Sequence, residues 1–129
     1  MMKSSRLYHM VLAGVLCAVG IVVPMFMPRI VLGPMSFTLA SHVAVFLGMF
    51  ISPAVAVAVC IGTTLGFFLT TPAIIALRAA SHIVFAGLGA LYLKKYPDTI
   101  DRPVASTVFN FVIALLHAAA EMIVVAPFF

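Results

Sequence analysis

The chain has 129 residues, 65% of them hydrophobic and only 8% charged, with a formal net charge of +4 and a mean hydropathy of +1.30. Ordinary soluble domains are roughly 45–50% apolar and about 25% charged, so this composition excludes a water-soluble globule and points to an integral membrane protein, a single transmembrane domain over residues 1–129. The few basic residues flank apolar segments, which gives no footprint for nucleic acid, and Cys17 and Cys60 fall inside apolar segments, which indicates neither a disulfide framework nor a metal site.

Five apolar spans are expected, separated by breaks that carry proline or charge. The first runs from Leu7 to Val23 behind Lys3 and Arg6. It is long for a secretion signal and no small-x-small cleavage site ends it, so it reads as a retained helix. "PMFMPRIVLGP" follows, and its three prolines and Gly33 rule out a continuous helix in favour of a structured loop or cap. The second span starts at Pro34 or Phe37 and ends at Ile51, the third runs from Ala54 to Leu69, the fourth from Ala73 to Leu93 and the fifth from Val104 to Ala126. Ser52–Pro53, Thr70–Pro72 and the polar "KKYPDTIDRP" separate them. At 1.5 Å per residue such spans cross about 30 Å of hydrocarbon, the second and third near the lower limit. Continuous apolarity of this kind disfavours strands, and the expected fold class is an all-α membrane protein.

Lys3, Arg6, Lys94, Lys95 and Arg102 fall on one side of a five-span topology, and Arg29 alone on the other. The positive-inside rule then places the N-terminus in the cytoplasm and the C-terminus outside, in a multi-pass protein of the cell membrane. Tyr8, Tyr92 and Tyr96 mark the same cytoplasmic boundary as an aromatic belt, and His9 reads as interfacial.

Within this frame the polar residues of the spans gain a depth. His42 lies about 7–12 Å from the outer surface, Arg78 about 9 Å and His82 about 15 Å, at 1.5 Å per residue. Glu121 lies within roughly two turns of that surface and His117 one turn deeper. A charge inside a transmembrane helix costs about 2.5–3.5 kcal/mol on insertion scales and is normally turned toward the protein interior or a water-filled cavity. Three helices bringing such residues to one half of the bilayer point to a shared polar cavity, with Thr38 and Ser41 as further hydrogen-bonding groups. Plainer roles compete: Arg78 and Glu121 as a structural ion pair, and His42 and His82 as hydrogen-bonded packing residues. His117 and Glu121 have metal-ligand spacing at i and i+4, but no thiol or second carboxylate accompanies them, and no metal or other cofactor is expected. Asn110, in the inner half, is expected to bond between helices.

The first span places Ala13 with Cys17 and Gly14 with Ala18 as two small-xxx-small pairs on adjoining faces, surfaces that let another helix approach closely. Packing within the chain and docking to another membrane subunit are the two alternatives.

"YHMVLAGVLCAVGIVVPMF", "SFTLASHVAVFLGMFISP", "GTTLGFFL", "LRAASHIVFAGLGALYL" and "VFNFVIALLHAAAEMIVV" together resemble the substrate-binding S component of an energy-coupling factor (ECF) vitamin transporter of the niacin-specific type, over nearly the whole chain from about Leu7 to Phe129. The resemblance implies a membrane protein that captures a vitamin from outside and delivers it by joining a transmembrane coupling (T) subunit and two cytoplasmic ATPases. It further implies that Ala13, Gly14, Cys17 and Ala18 form the surface for the coupling subunit, with Gly14 and Cys17 departing from the family's alanines. S components have six helices, and by this resemblance the five spans lack the sixth.

No GxxxxGK[ST] phosphate loop is present, and no HExxH or GxSxG arrangement offers hydrolytic chemistry. An enzyme is therefore not expected, and transport energy must come from a partner. Competing readings are a small intramembrane enzyme using His117 and Glu121 as acid and base, and an assembly subunit or remnant that binds nothing. Arg78 suits a planar carboxylate through parallel hydrogen bonds. Nicotinate and pantothenate both fit that requirement, and only the family resemblance selects nicotinate.

Overall fold

The computed structural model describes residues 6–32, 35–38 and 40–129. Lys3, Gly33 and Pro34, on which parts of the sequence reading fall, lie outside the described residues, as does Leu39. Among the described residues, five α-helices carry the fold: α1 (Arg6–Phe26), α2 (Val43–Ile51), α3 (Pro53–Thr70), α4 (Ala73–Lys95) and α5 (Pro103–Val125). A small antiparallel hairpin, β1 (Arg29–Leu32) with β2 (Met35–Thr38), stands between α1 and α2.

The helix boundaries have local causes. Ser52 caps α3 by accepting a 3.2 Å hydrogen bond from the Val55 amide, and Pro53 follows in the first turn, where its missing N–H is not needed. Pro103 opens α5 in the same way. Lys94 and Lys95 occupy the last turn of α4, where their charge complements the helix dipole. α1 runs on to Phe26, three residues past the expected end, with Pro24 inside the helix and buried. In the final turn proline forfeits one backbone bond and does not stop the helix.

The second predicted span takes a different form. Residues 35–38 pair as a strand, with Val31 opposite Ser36 and Arg29 opposite Thr38, and α2 begins only at Val43. Its nine residues rise about 13.5 Å, less than half the hydrocarbon thickness. α1, α3, α4 and α5 are long and apolar enough to cross a membrane, which makes this an all-α multi-pass membrane protein with one short helix. The chain nevertheless returns to its starting end. Ser52 and Pro53, at the α2–α3 turn, share a cavity of about 610 Å³ with His9 from α1 and Lys94 from α4.

α3 and α4 pack on each other at the centre; α1 packs on α3 and α2, and α5 packs on α4. Val45, Met49, Val59 and Phe85 are fully buried between them. Gly89 lets α4 approach Met49 and Ile113 closely, and an added Cβ there would run into both side chains. Large apolar residues such as Val11, Leu65, Leu88 and Phe111 stay exposed, as lipid-facing positions in a chain whose outer solvent is hydrocarbon. The hydroxyls of Thr63, Thr64 and Thr70 bond back to carbonyls one turn earlier on α3, which satisfies them without a partner helix.

Candidate functional site

At the end of the bundle that carries the hairpin, five titratable side chains from three segments meet. Arg78 and His82 are one turn apart on α4, and His117 and Glu121 are one turn apart on α5, so each pair projects from a single helix face. His42 closes the group from the N-terminal end of α2. Its arrival there depends on an unusual turn: Ala40 takes φ 62°, a left-handed conformation costing roughly 1–2 kcal/mol for a residue with a Cβ. The Ser41 amide bonds to the Thr38 carbonyl at 3.3 Å and the Val43 amide to the Ala40 carbonyl at 3.2 Å.

Glu121 is the hub. Its Oε2 accepts from Arg78 Nη2 at 3.0 Å, and its Oε1 stands 3.3 Å from both His82 Nε2 and His117 Nε2. Arg78 Nη1 donates to Ser36 Oγ on β2 at 3.1 Å. His42 Nε2 lies 3.2 Å from His117 Nε2, and His42 Nδ1 lies 2.8 Å from Ser41 Oγ. The three imidazoles pack with centroid separations of 4.5 Å, 4.8 Å and 5.1 Å, on a floor formed by Phe85, whose ring is 4.9 Å from that of His117. The donor atoms of His42, His82, His117 and Glu121 all lie within 4.8 Å of one another.

Ser36, Thr38, Ser41, His42, Arg78, His82 and Glu121 line one cleft of about 40 Å³, which Phe67, Ile75 and Ala79 complete. All seven residues expected to bind substrate are therefore neighbours: six line the cleft and His117 joins through His42 and Glu121. Ser36 was not anticipated. It reaches Arg78 because strand alternation puts Ser36 and Thr38 on the same face of the hairpin, and the only hint was polar alternation in "MSFT". Phe85 has no signature in the sequence, since one more phenylalanine in an apolar span carries no signal.

The four small residues of α1 separate. Ala13 and Cys17 pack against the core, with Cys17 seated where a Cβ on Gly62 would fall and its thiol 3.5 Å from the Ala58 carbonyl. Gly14 and Ala18 are exposed. Cys17 and Cys60 are both free thiols. Asn110 corrects an expectation: it is exposed on α5 and makes no interhelical hydrogen bond among the described residues, because α5 packs on α4 through a face that holds Phe109 and Ile113.

The chain is 42% identical, over 129 residues covering 98% of its length, to the Niacin transporter NiaX of Lactococcus lactis subsp. cremoris (strain MG1363). The chain is a homologue of a niacin transporter. The chain spans 58% of that transporter's length. No family model matches the chain, and no solved structure matches it.

Proposed function

We propose that this protein is the membrane-embedded substrate-binding component of an ECF-type vitamin importer, that its ligand is nicotinate, and that Ser36, Thr38, Ser41, His42, Arg78, His82, His117 and Glu121 form the site. The observation that carries the reading is Arg78, a permanent cation on a membrane-spanning helix, aimed into a cleft of hydroxyls and imidazoles in a homologue of a niacin transporter. Among the described residues, Arg78 Nη1 holds only the neutral Ser36 hydroxyl. An incoming carboxylate takes that place without breaking the pair with Glu121, and the imidazoles face an aromatic ring. A cleft of about 40 Å³ holds only about three or four waters, at about 10–15 Å³ each, so the hairpin or side chains must move when the vitamin enters.

In this reading the N-terminus is cytoplasmic and the cleft faces outward. A T subunit and two ATPases supply the energy, the open Gly14–Ala18 face of α1 meets the T subunit, and the chain itself performs no catalysis. Competition against labelled nicotinate by nicotinate, nicotinamide and pantothenate tests the assignment. A charged-group hydrogen bond contributes about 1.5–3 kcal/mol, so nicotinate should be preferred over nicotinamide roughly ten- to a hundredfold. Arg78→Lys should shrink that preference and Arg78→Ala abolish it. Equal discrimination by the alanine variant would remove Arg78 from the vitamin's carboxylate, and stronger competition by pantothenate would reassign the ligand.

A further inference from the structure

We infer that His42, His82, His117 and Glu121 form a binding site for a divalent transition-metal ion of the Zn²⁺ or Co²⁺ class. The inference goes beyond vitamin binding and does not depend on it. A tetrahedral ion bound at about 2.0–2.1 Å to imidazole nitrogen or carboxylate oxygen separates its ligand atoms by about 3.3 Å. His42 Nε2 to His117 Nε2 is 3.2 Å, His82 Nε2 to Glu121 Oε1 is 3.3 Å, and His117 Nε2 to Glu121 Oε1 is 3.3 Å. Three edges of the tetrahedron are already present, and no pair of the four atoms exceeds 4.8 Å.

Hydrogen bonding alone serves this cluster poorly. A ring nitrogen carries one proton at most, so His117 Nε2 serves His42 or Glu121 and not both. A cation at the centre accepts a lone pair from all four atoms at once. The surroundings also hold each ligand in the required form. Ser41 Oγ, 2.8 Å from His42 Nδ1, can accept a hydrogen bond from Nδ1–H, the tautomer that leaves Nε2 bare for the ion. Arg78 occupies Glu121 Oε2 and turns Oε1 to the centre as a single-atom ligand. Partners of this kind fix tautomer and orientation at metal-binding histidines and carboxylates.

The donor set selects the ion. Three imidazoles and one carboxylate oxygen suit Zn²⁺, Co²⁺ or Ni²⁺; Ca²⁺ and Mg²⁺ require mostly oxygen, and Cu⁺ requires sulfur. Three of the four ligands, His42, His82 and Glu121, line the cleft of about 40 Å³, which opens beside the cluster. Because the ligands come from the start of α2 and from α4 and α5, the ion ties three segments together, and its dication adds to the pull of Arg78 on an anionic ligand.

The test uses the untagged full chain in detergent, stripped by chelator and titrated with Co²⁺ alone. One equivalent should bind with the visible absorption of tetrahedral Co²⁺, and Zn²⁺ should displace it. His42→Ala and His117→Ala should each weaken binding at least about 100-fold and Ser41→Ala about tenfold, given that loss of an outer partner alone costs about 10–100-fold. His9→Ala, at the opposite end, should bind as wild type. Should His82→Ala, at a buried position, fail to fold, the half-exposed His117 keeps the proposal testable. Absence of stoichiometric Co²⁺ and Zn²⁺ uptake by folded wild type, or unchanged affinity in folded His42→Ala and His117→Ala, overturns it. Nicotinate binding is measured on stripped and loaded protein in parallel. No nicotinate binding in either state with the Co²⁺ spectrum intact rejects the vitamin and leaves the metal site standing.

Discussion

The ion pair between Arg78 and Glu121 links α4 to α5 where few other polar contacts do, and its strength is measurable by a double-mutant cycle. Arg78→Met and Glu121→Gln each remove one charge at nearly constant volume. With Nη2 and Oε2 at 3.0 Å the charge centres lie about 4 Å apart, where the attraction is about 4 kcal/mol at an effective dielectric of about 20 and about 1 kcal/mol in water. The side chains keep 18% and 20% of their surface exposed, so part of the hydration is retained and the full cost of breaking a buried pair, about 3–5 kcal/mol, does not apply. We expect each single variant to lose about 2–3 kcal/mol and the double variant to lose less than the sum, with a coupling of about 1–3 kcal/mol. Reversible unfolding in mixed micelles by sodium dodecyl sulfate, followed by far-ultraviolet circular dichroism, gives all four corners of the cycle. A coupling below about 0.5 kcal/mol, the range of exposed surface pairs, would refute the claim that the pair is sheltered and that α4 and α5 are joined through it.

Topology is open to cysteine labelling: position 97 should react only from the cytoplasmic side and position 35 only from outside, and labelling of position 97 in intact cells would reverse the orientation. Gly62→Val should destabilise by about 1–3 kcal/mol because its side chain enters the space of Cys17 and overpacks the α1–α3 contact. Gly14→Leu, where an added Cβ meets nothing within 4 Å, should leave stability unchanged and, together with Ala18→Leu, reduce copurification of the T subunit while nicotinate binding persists. Ala40→Gly relieves the left-handed strain by about 1 kcal/mol and returns a similar amount through unfolded-state entropy. Its melting temperature should therefore match wild type, and a marked loss would mean that the Ala40 side chain, not its backbone, holds the turn.

Much of this protein follows from local rules. Composition alone selects lipid as the solvent, because no soluble core absorbs so many apolar residues with so few charges. The helix rise of 1.5 Å per residue turns sequence position into depth, so the meeting of Arg78, His82, His117 and Glu121 near one level was legible before any packing was known. Their i, i+4 spacing likewise placed His117 and Glu121 on one face. Azimuth and pairing between segments are not local. That α2 starts at Val43 and that "MSFT" pairs with "RIVL" depend on strand partners several residues apart, and an apolar run in this region reads equally as strand or helix. The hydrogen bond from Arg78 to Ser36 spans 42 positions and exists only once the hairpin has folded over α4. The same holds for α1: its small residues promised close approach on two faces, and packing against Gly62 of α3 took up Cys17 and left Gly14 open. Sequence sets the solvent, the length and the depth of each element; the close packing of α3 and α4 decides which faces turn inward, and so which donors share a centre.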